Sequence, residues 1–118
     1  MQIPIFWEVV STPYYETRAL GNTAAFRNFS ERKLTYYRWE TTNKLLGCFQ
    51  GLYGCKTGIT SPAGPCFAGY YEKKGLKLAL ILLHSASQDQ RWIEISRMVN
   101  WISTAYIHYS EFVRRQEI

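Results

Sequence analysis

The sequence predicts an α+β domain in which antiparallel strands pack under one long C-terminal helix. Two observations carry this. Gly54–Thr60, Cys66–Tyr71 and Leu76–Leu83 are strand-like runs separated by turn-forming residues, and an apolar stripe of helical period follows them. With 118 residues, 47% of them apolar, the chain has the size of a single small domain.

At the N-terminus, Ile5–Thr12 reads as a short helix or extended lead-in that stops before Pro13. Tyr14–Tyr37 has no clear period, and the aromatic and arginine mixture of Tyr14–Trp39 is expected to serve as core and edge-covering groups. Trp39–Leu46 reads as a loop with specific polar groups, and Gly47 and Gly51 punctuate the approach to the first strand-like run. The separators Ser61-Pro62-Ala63-Gly64 and Lys73-Lys74-Gly75 make two successive hairpins, with Ile59 expected opposite Cys66. Leu76–Leu83 is so continuously apolar that it is expected at the centre of the sheet, covered on both faces. Ser87-Gln88-Asp89-Gln90 has the form of a capping box. Trp92, Ile95, Val99, Ile102 and Tyr106 then line one face of a helix that ends between about Ser110 and Arg115.

Composition excludes several classes. The net charge of +5 is modest and its basic residues are spread among acidic ones, so no nucleic acid is expected as partner. The three cysteines, Cys48, Cys55 and Cys66, show no Cys-x-x-Cys spacing and are expected to be free thiols, and His84 and His108 lack acidic partners at metal-ligand spacing. No cofactor or metal is implied. The longest apolar run is far too short to span a bilayer, and Met1-Gln2-Ile3-Pro4 does not open a signal peptide. Oligomeric state is not legible.

Chemistry concentrates at Lys56-Thr57-Gly58, followed by Ile59 and Thr60. An ammonium and a hydroxyl beside a strand glycine can hold a carboxylate and admit a second backbone. The full block Gly54-Cys55-Lys56-Thr57-Gly58-Ile59-Thr60-Ser61-Pro62-Ala63-Gly64 resembles the Gly-x-Lys-Thr-Gly-x-Thr-x-x-Ala-Gly pattern of the D-alanyl-D-alanine carboxypeptidases, the low-molecular-mass penicillin-binding proteins with the serine β-lactamase-like fold. The resemblance extends in collinear order. Trp39-Glu40-Thr41-Thr42-Asn43-Lys44-Leu45-Leu46 is similar to the family's Trp-x-Asn-Thr-Asn-x-Leu-Leu, and Ile5-Phe6-Trp7-Glu8-Val9-Val10-Ser11-Thr12 to its Phe-Arg-x-Ile-Val-x-Thr. Arg91-Trp92-Ile93-Glu94 and Asn100-Trp101 match its closing helix.

This resemblance implies that residues 1–118 form the C-terminal portion of a serine β-lactamase/transpeptidase-like catalytic domain, without the helical subdomain. It implies exported relatives, and as partner a peptide ending in D-Ala-D-Ala or a β-lactam. In the implied chemistry a serine attacks the peptide bond between two D-alanines, the terminal D-alanine leaves, and water releases the acyl-enzyme. Lys56 would supply positive charge beside nucleophile and substrate. Thr57 would bond the terminal carboxylate, Gly58 would let the substrate backbone add along the strand, the Ile59 N–H would be one oxyanion donor, and Thr60 would support them. Ile59 stands where an aromatic residue or histidine is common, Thr41 replaces the usual asparagine, and Pro65 after Ala63-Gly64 is unusual.

Neither the family's Ser-x-x-Lys nor its Ser-x-Asn occurs in its expected place. Ser30-Glu31-Arg32-Lys33 has the first form but lies too close to Lys56 along the chain, and it is read as a polar surface turn. The chain alone is therefore expected to be inactive. The other readings are a non-catalytic domain that keeps the carboxylate-binding strand, and a small basic nucleic-acid binder.

Overall fold

The computed structural model describes residues 3–20 and 34–117. Helix α1 (Pro4–Val10) is followed by strands β1 (Tyr14–Leu20), β2 (Leu34–Glu40), β3 (Leu52–Thr60), β4 (Gly64–Lys73) and β5 (Leu76–Leu82), and by helix α2 (Gln88–Gln116). Two antiparallel sheets result, one pairing β1 with β2 and one in the order β3-β4-β5. No described helix is long and apolar enough to cross a membrane.

Turn chemistry sets the three-stranded sheet. Lys73 pairs with Leu76, so Lys74 and Gly75 form a two-residue turn with φ of 51° and 81°, the positive angles that match the twist of a hairpin. Between β3 and β4, Thr60 pairs with Gly64 at φ 63°, leaving a three-residue loop. That loop places Gly58, and not Ile59, opposite Cys66, one residue from the sequence expectation. All three cysteines are free.

The core lies between this sheet and α2. Leu52, Phe67, Tyr71 and Leu80 meet Trp92, Ile95 and Val99 of the helix, and burying each such side chain contributes about 1.5–3 kcal/mol. Ser87 caps the helix by accepting a 3.0 Å bond from the Gln90 amide. The expected stripe is thus buried at Trp92, Ile95 and Val99, but Tyr106 is exposed because α2 runs on to the end of the sheet and beyond.

The strand expected at the centre is an edge. A meander puts its middle member between the other two, so β4 is central and among the described residues β5 pairs with β4 alone. Only the α2 side of β5 is covered; Ile81 is 60% and Leu83 70% exposed. Continuous apolarity signals a demand for cover, and within the described residues that demand is half met.

On the opposite face α1 lays Trp7 against Tyr53 and Tyr70, with ring centroids 4.8 and 5.2 Å apart. Of the aromatic and arginine stretch expected to serve as core and edge-covering groups, the described residues form the exposed β1–β2 ribbon, and residues 21–33 lie outside the described residues. The ribbon's register is held across the strands by Arg38, which bonds Glu16 at 2.5 Å and lies over the Tyr14 ring, and by Tyr15 stacked on Trp39; along β2 itself Arg38 also bonds Glu40 at 2.9 Å and Tyr37 stacks on Trp39. The Tyr36 hydroxyl, followed by Arg38, holds the Glu16 carboxyl below its ordinary value of 4.5. A lowered folded value means that the ribbon's ion pairing is complete above the ordinary carboxylate value and is lost as pH falls through the lowered one. Acid titration followed by amide exchange at Tyr15–Arg18 should show this loosening, and Glu16→Gln should remove its pH dependence.

Candidate functional site

Lys56, Thr57, Gly58, Ile59 and Thr60 all lie on β3, which pairs with β4 on one side and has no strand on the other among the described residues. Just before them the ladder slips: β3 carries one more residue than β4 between Tyr53 and Lys56. Such a bulge bends the strand and re-aims the side chains that follow. Gly54 sits in this bulge against the end of α1, where an added Cβ would stand 2.4 Å from the Val10 carbonyl. Glycine is required there by the close approach of helix to strand.

The free edge has a definite polarity. The Pro65 carbonyl accepts from Ser85 beyond β5, and the Glu72 amide donates to Gly51 on the β3 side. Odd-numbered residues of β4 therefore face β5, and their β3 partners Thr57 and Ile59 turn their own N–H and C=O groups outward. At Gly58 an added Cβ would meet nothing within 4 Å, so nothing in the described chain requires glycine there. Thr60 acts locally, its hydroxyl accepting from the Ala63 amide and so holding the turn.

The loop before β3 closes on this edge. The Thr42 and Thr57 hydroxyls are 2.6 Å apart. Asn43, 5% exposed, accepts from Leu45 through Oδ1, which fixes its amide, and its Nδ2 has no protein partner among the described residues. The Lys56 ammonium donates to the Thr57 carbonyl. Together with α1 and the base of the β1–β2 ribbon these residues enclose a cleft of about 450 Å³, walled by Ile5, Val9, Tyr15 and Trp39. Cys55 also lines it, but burial pushes its thiol up, leaving it protonated and a poor nucleophile at neutral pH. No serine among the described residues lines the cleft. Ser30 and Lys33 lie outside the described residues.

Arg91 supports the site from a distance, a role that its place in the sequence pattern does not reveal. It is 5% exposed, and its Nη1 donates to the carbonyls of Cys66 at 3.0 Å and Gly58 at 3.4 Å, with the guanidinium 4.3 Å from the Trp92 ring. It clamps β3 to β4 beside the outward-facing Thr57 and Ile59. The sequence does hold one trace of its burial: Arg91 precedes Ile95 by one helical turn, so a charge stands within the apolar face of α2.

No protein-family model and no curated protein matches the chain. Solved structures do. The DD-transpeptidase of Streptomyces K15 superposes with a TM-score of 0.71 at 24% identity, over 86% of this chain and 36% of that one. A single-site mutant of the same enzyme gives 0.69 at 25% identity over the same shares. Penicillin-Binding Protein D2 from Listeria monocytogenes, in its cefotaxime-bound form, gives 0.59 at 29% identity, over 82% of this chain and 33% of that one. The chain spans about a third of the length of each. Together with the collinear motifs, these likenesses relate the chain to the penicillin-binding protein and DD-peptidase family, whose fold it shares over that third.

Proposed function

We propose that this chain is the carboxylate-anchoring, C-terminal portion of a serine-type D-alanyl-D-alanine peptidase domain acting on peptidoglycan peptides. The supporting observation is the edge of β3, unpaired among the described residues, with Lys56 and Thr57 lining the cleft and Gly58 next along the strand. An incoming peptide adds along this edge by main-chain pairing. Its terminal carboxylate takes the Thr57 hydroxyl and the positive charge of Lys56, charge-assisted contacts of about 1.5–3 kcal/mol each. Gly58 leaves room for the peptide backbone, and the outward Ile59 N–H donates to the carbonyl oxygen on which negative charge develops. These residues carry neither a Ser-x-x-Lys nor a Ser-x-Asn in the place the family needs it, so the 118-residue chain alone binds without forming an acyl-enzyme.

Titration of the chain with an N-acylated D-Ala-D-Ala peptide should shift the amides of Lys56–Thr60 saturably, and Thr57→Val should weaken binding roughly tenfold. A fluorescent penicillin should leave the chain without covalent label. Shifts confined to other elements, or stoichiometric labelling, would overturn the proposal.

A further inference from the structure

The hydroxyl that meets Thr57 comes from outside the strand. Thr42 and Thr57 both line the cleft, and their Oγ1 atoms, 15 residues apart in sequence, are 2.6 Å apart in space, within the ordinary range of an O–H···O bond.

Thr42 is placed by its neighbours. The Thr41 amide donates to the Pro13 carbonyl at 2.8 Å, and the Asn43 amide donates to the Thr41 hydroxyl at 3.2 Å. Asn43 is buried, its Oδ1 accepts from the Leu45 amide at 3.1 Å, and its carbonyl accepts from the Leu46 amide. The backbone is thus held on either side of Thr42, whose own side chain stays exposed on the loop. Thr57 is fixed by its strand only as far as the backbone. In a strand more than one χ1 well is open to such a side chain, and a fixed neighbour selects among them.

A count of protons decides what the pair does. Two hydroxyls bring two protons, and the bond between them uses one. A carboxylate has no proton to give and only accepts. With a carboxylate on Thr57, Thr57 donates to it, so the shared bond runs from Thr42 to Thr57. The first bond then polarises the second, and the negative charge strengthens both.

We propose that Thr42 is a positioning residue of the carboxylate anchor: it holds the Thr57 hydroxyl in place and commits its single proton to the terminal carboxylate of the bound peptide. Given peptide binding along β3, on which this role rests, Thr42 raises the preference for a free acid over a neutral amide, because a bond to a charged acceptor is about twice as strong as one to a neutral acceptor.

Calorimetric titration of the 118-residue chain with an N-acylated D-Ala-D-Ala peptide and with its C-terminal amide tests this. Thr42→Val, which keeps the shape and removes the hydroxyl, should weaken the acid roughly three- to tenfold and the amide by less than about twofold. Thr42→Ser, which keeps the hydroxyl, should retain the preference for the acid. In a Thr57→Val background, Thr42→Val should cost nothing further, since the pair is already broken. Circular dichroism and the β3 amide shifts report that each variant keeps its fold. Equal weakening of acid and amide, or additive losses in the double variant, would overturn the role of Thr42 and leave the peptide site standing. A wild-type chain that does not bind the acid would overturn the peptide reading, and the role of Thr42 with it.

Discussion

Phe67→Ala should cost about 3–5 kcal/mol and lower the melting temperature by roughly 15 °C or more. Phe67 is 2% exposed on the central strand, and its ring stands edge-on to Trp92 with centroids 6.0 Å apart. It therefore joins β4 to α2 at the point where the two layers depend on each other. Gly69 lies against the same ring, since an added Cβ there would be 2.4 Å from it, so neighbouring backbone already fills the space into which a truncated core would collapse. Ile93→Ala, on the exposed side of α2, should change stability by less than about 0.5 kcal/mol. Urea denaturation of both variants checks this, and similar midpoints for the two would contradict the assignment of the core.

Arg91→Met is expected to have the next largest effect, about 1–3 kcal/mol, because it removes the donor to the Cys66 and Gly58 carbonyls without emptying the space. Arg91→Lys should not restore it, since a single ammonium cannot reproduce the planar guanidinium that both reaches the carbonyls and lies against the Trp92 ring. Amides of Gly58–Ala63 should exchange faster in both variants. If the site is as proposed, affinity for the D-Ala-D-Ala peptide should fall along with this protection. Unchanged exchange across the β3–β4 turn would show that Arg91 does not hold the strand.

Local signals were legible wherever one residue type answers one geometric need. Lys74-Gly75 marks a turn because both positions take positive φ, and Ser87 marks the start of α2 because its hydroxyl satisfies an otherwise unpaired amide. The β1–β2 ribbon was not legible. Its aromatic residues fall on both faces and its register rests on pairs such as Arg38 with Glu16, 22 residues apart, which no local period reveals. The one-residue error opposite Cys66 has a similar origin, since the loop length depends on Gly64 adopting a positive φ.

The residue types of the candidate site are legible without coordinates: Lys56, Thr57, Gly58, Ile59 and Thr60 form one continuous strand segment, and a strand carries its residue types wherever it is placed. Where that strand lies, which of its amides face outward and what stands beside it follow from long-range packing. Those properties come from pairing with β4, from the bulge at Gly54, and from Arg91, Thr42 and Asn43, which reach the strand from distant parts of the chain. Tertiary structure likewise placed Leu76–Leu82 at an edge, because hydropathy records how much cover a strand needs while pairing and packing settle how much of it the rest of the chain provides.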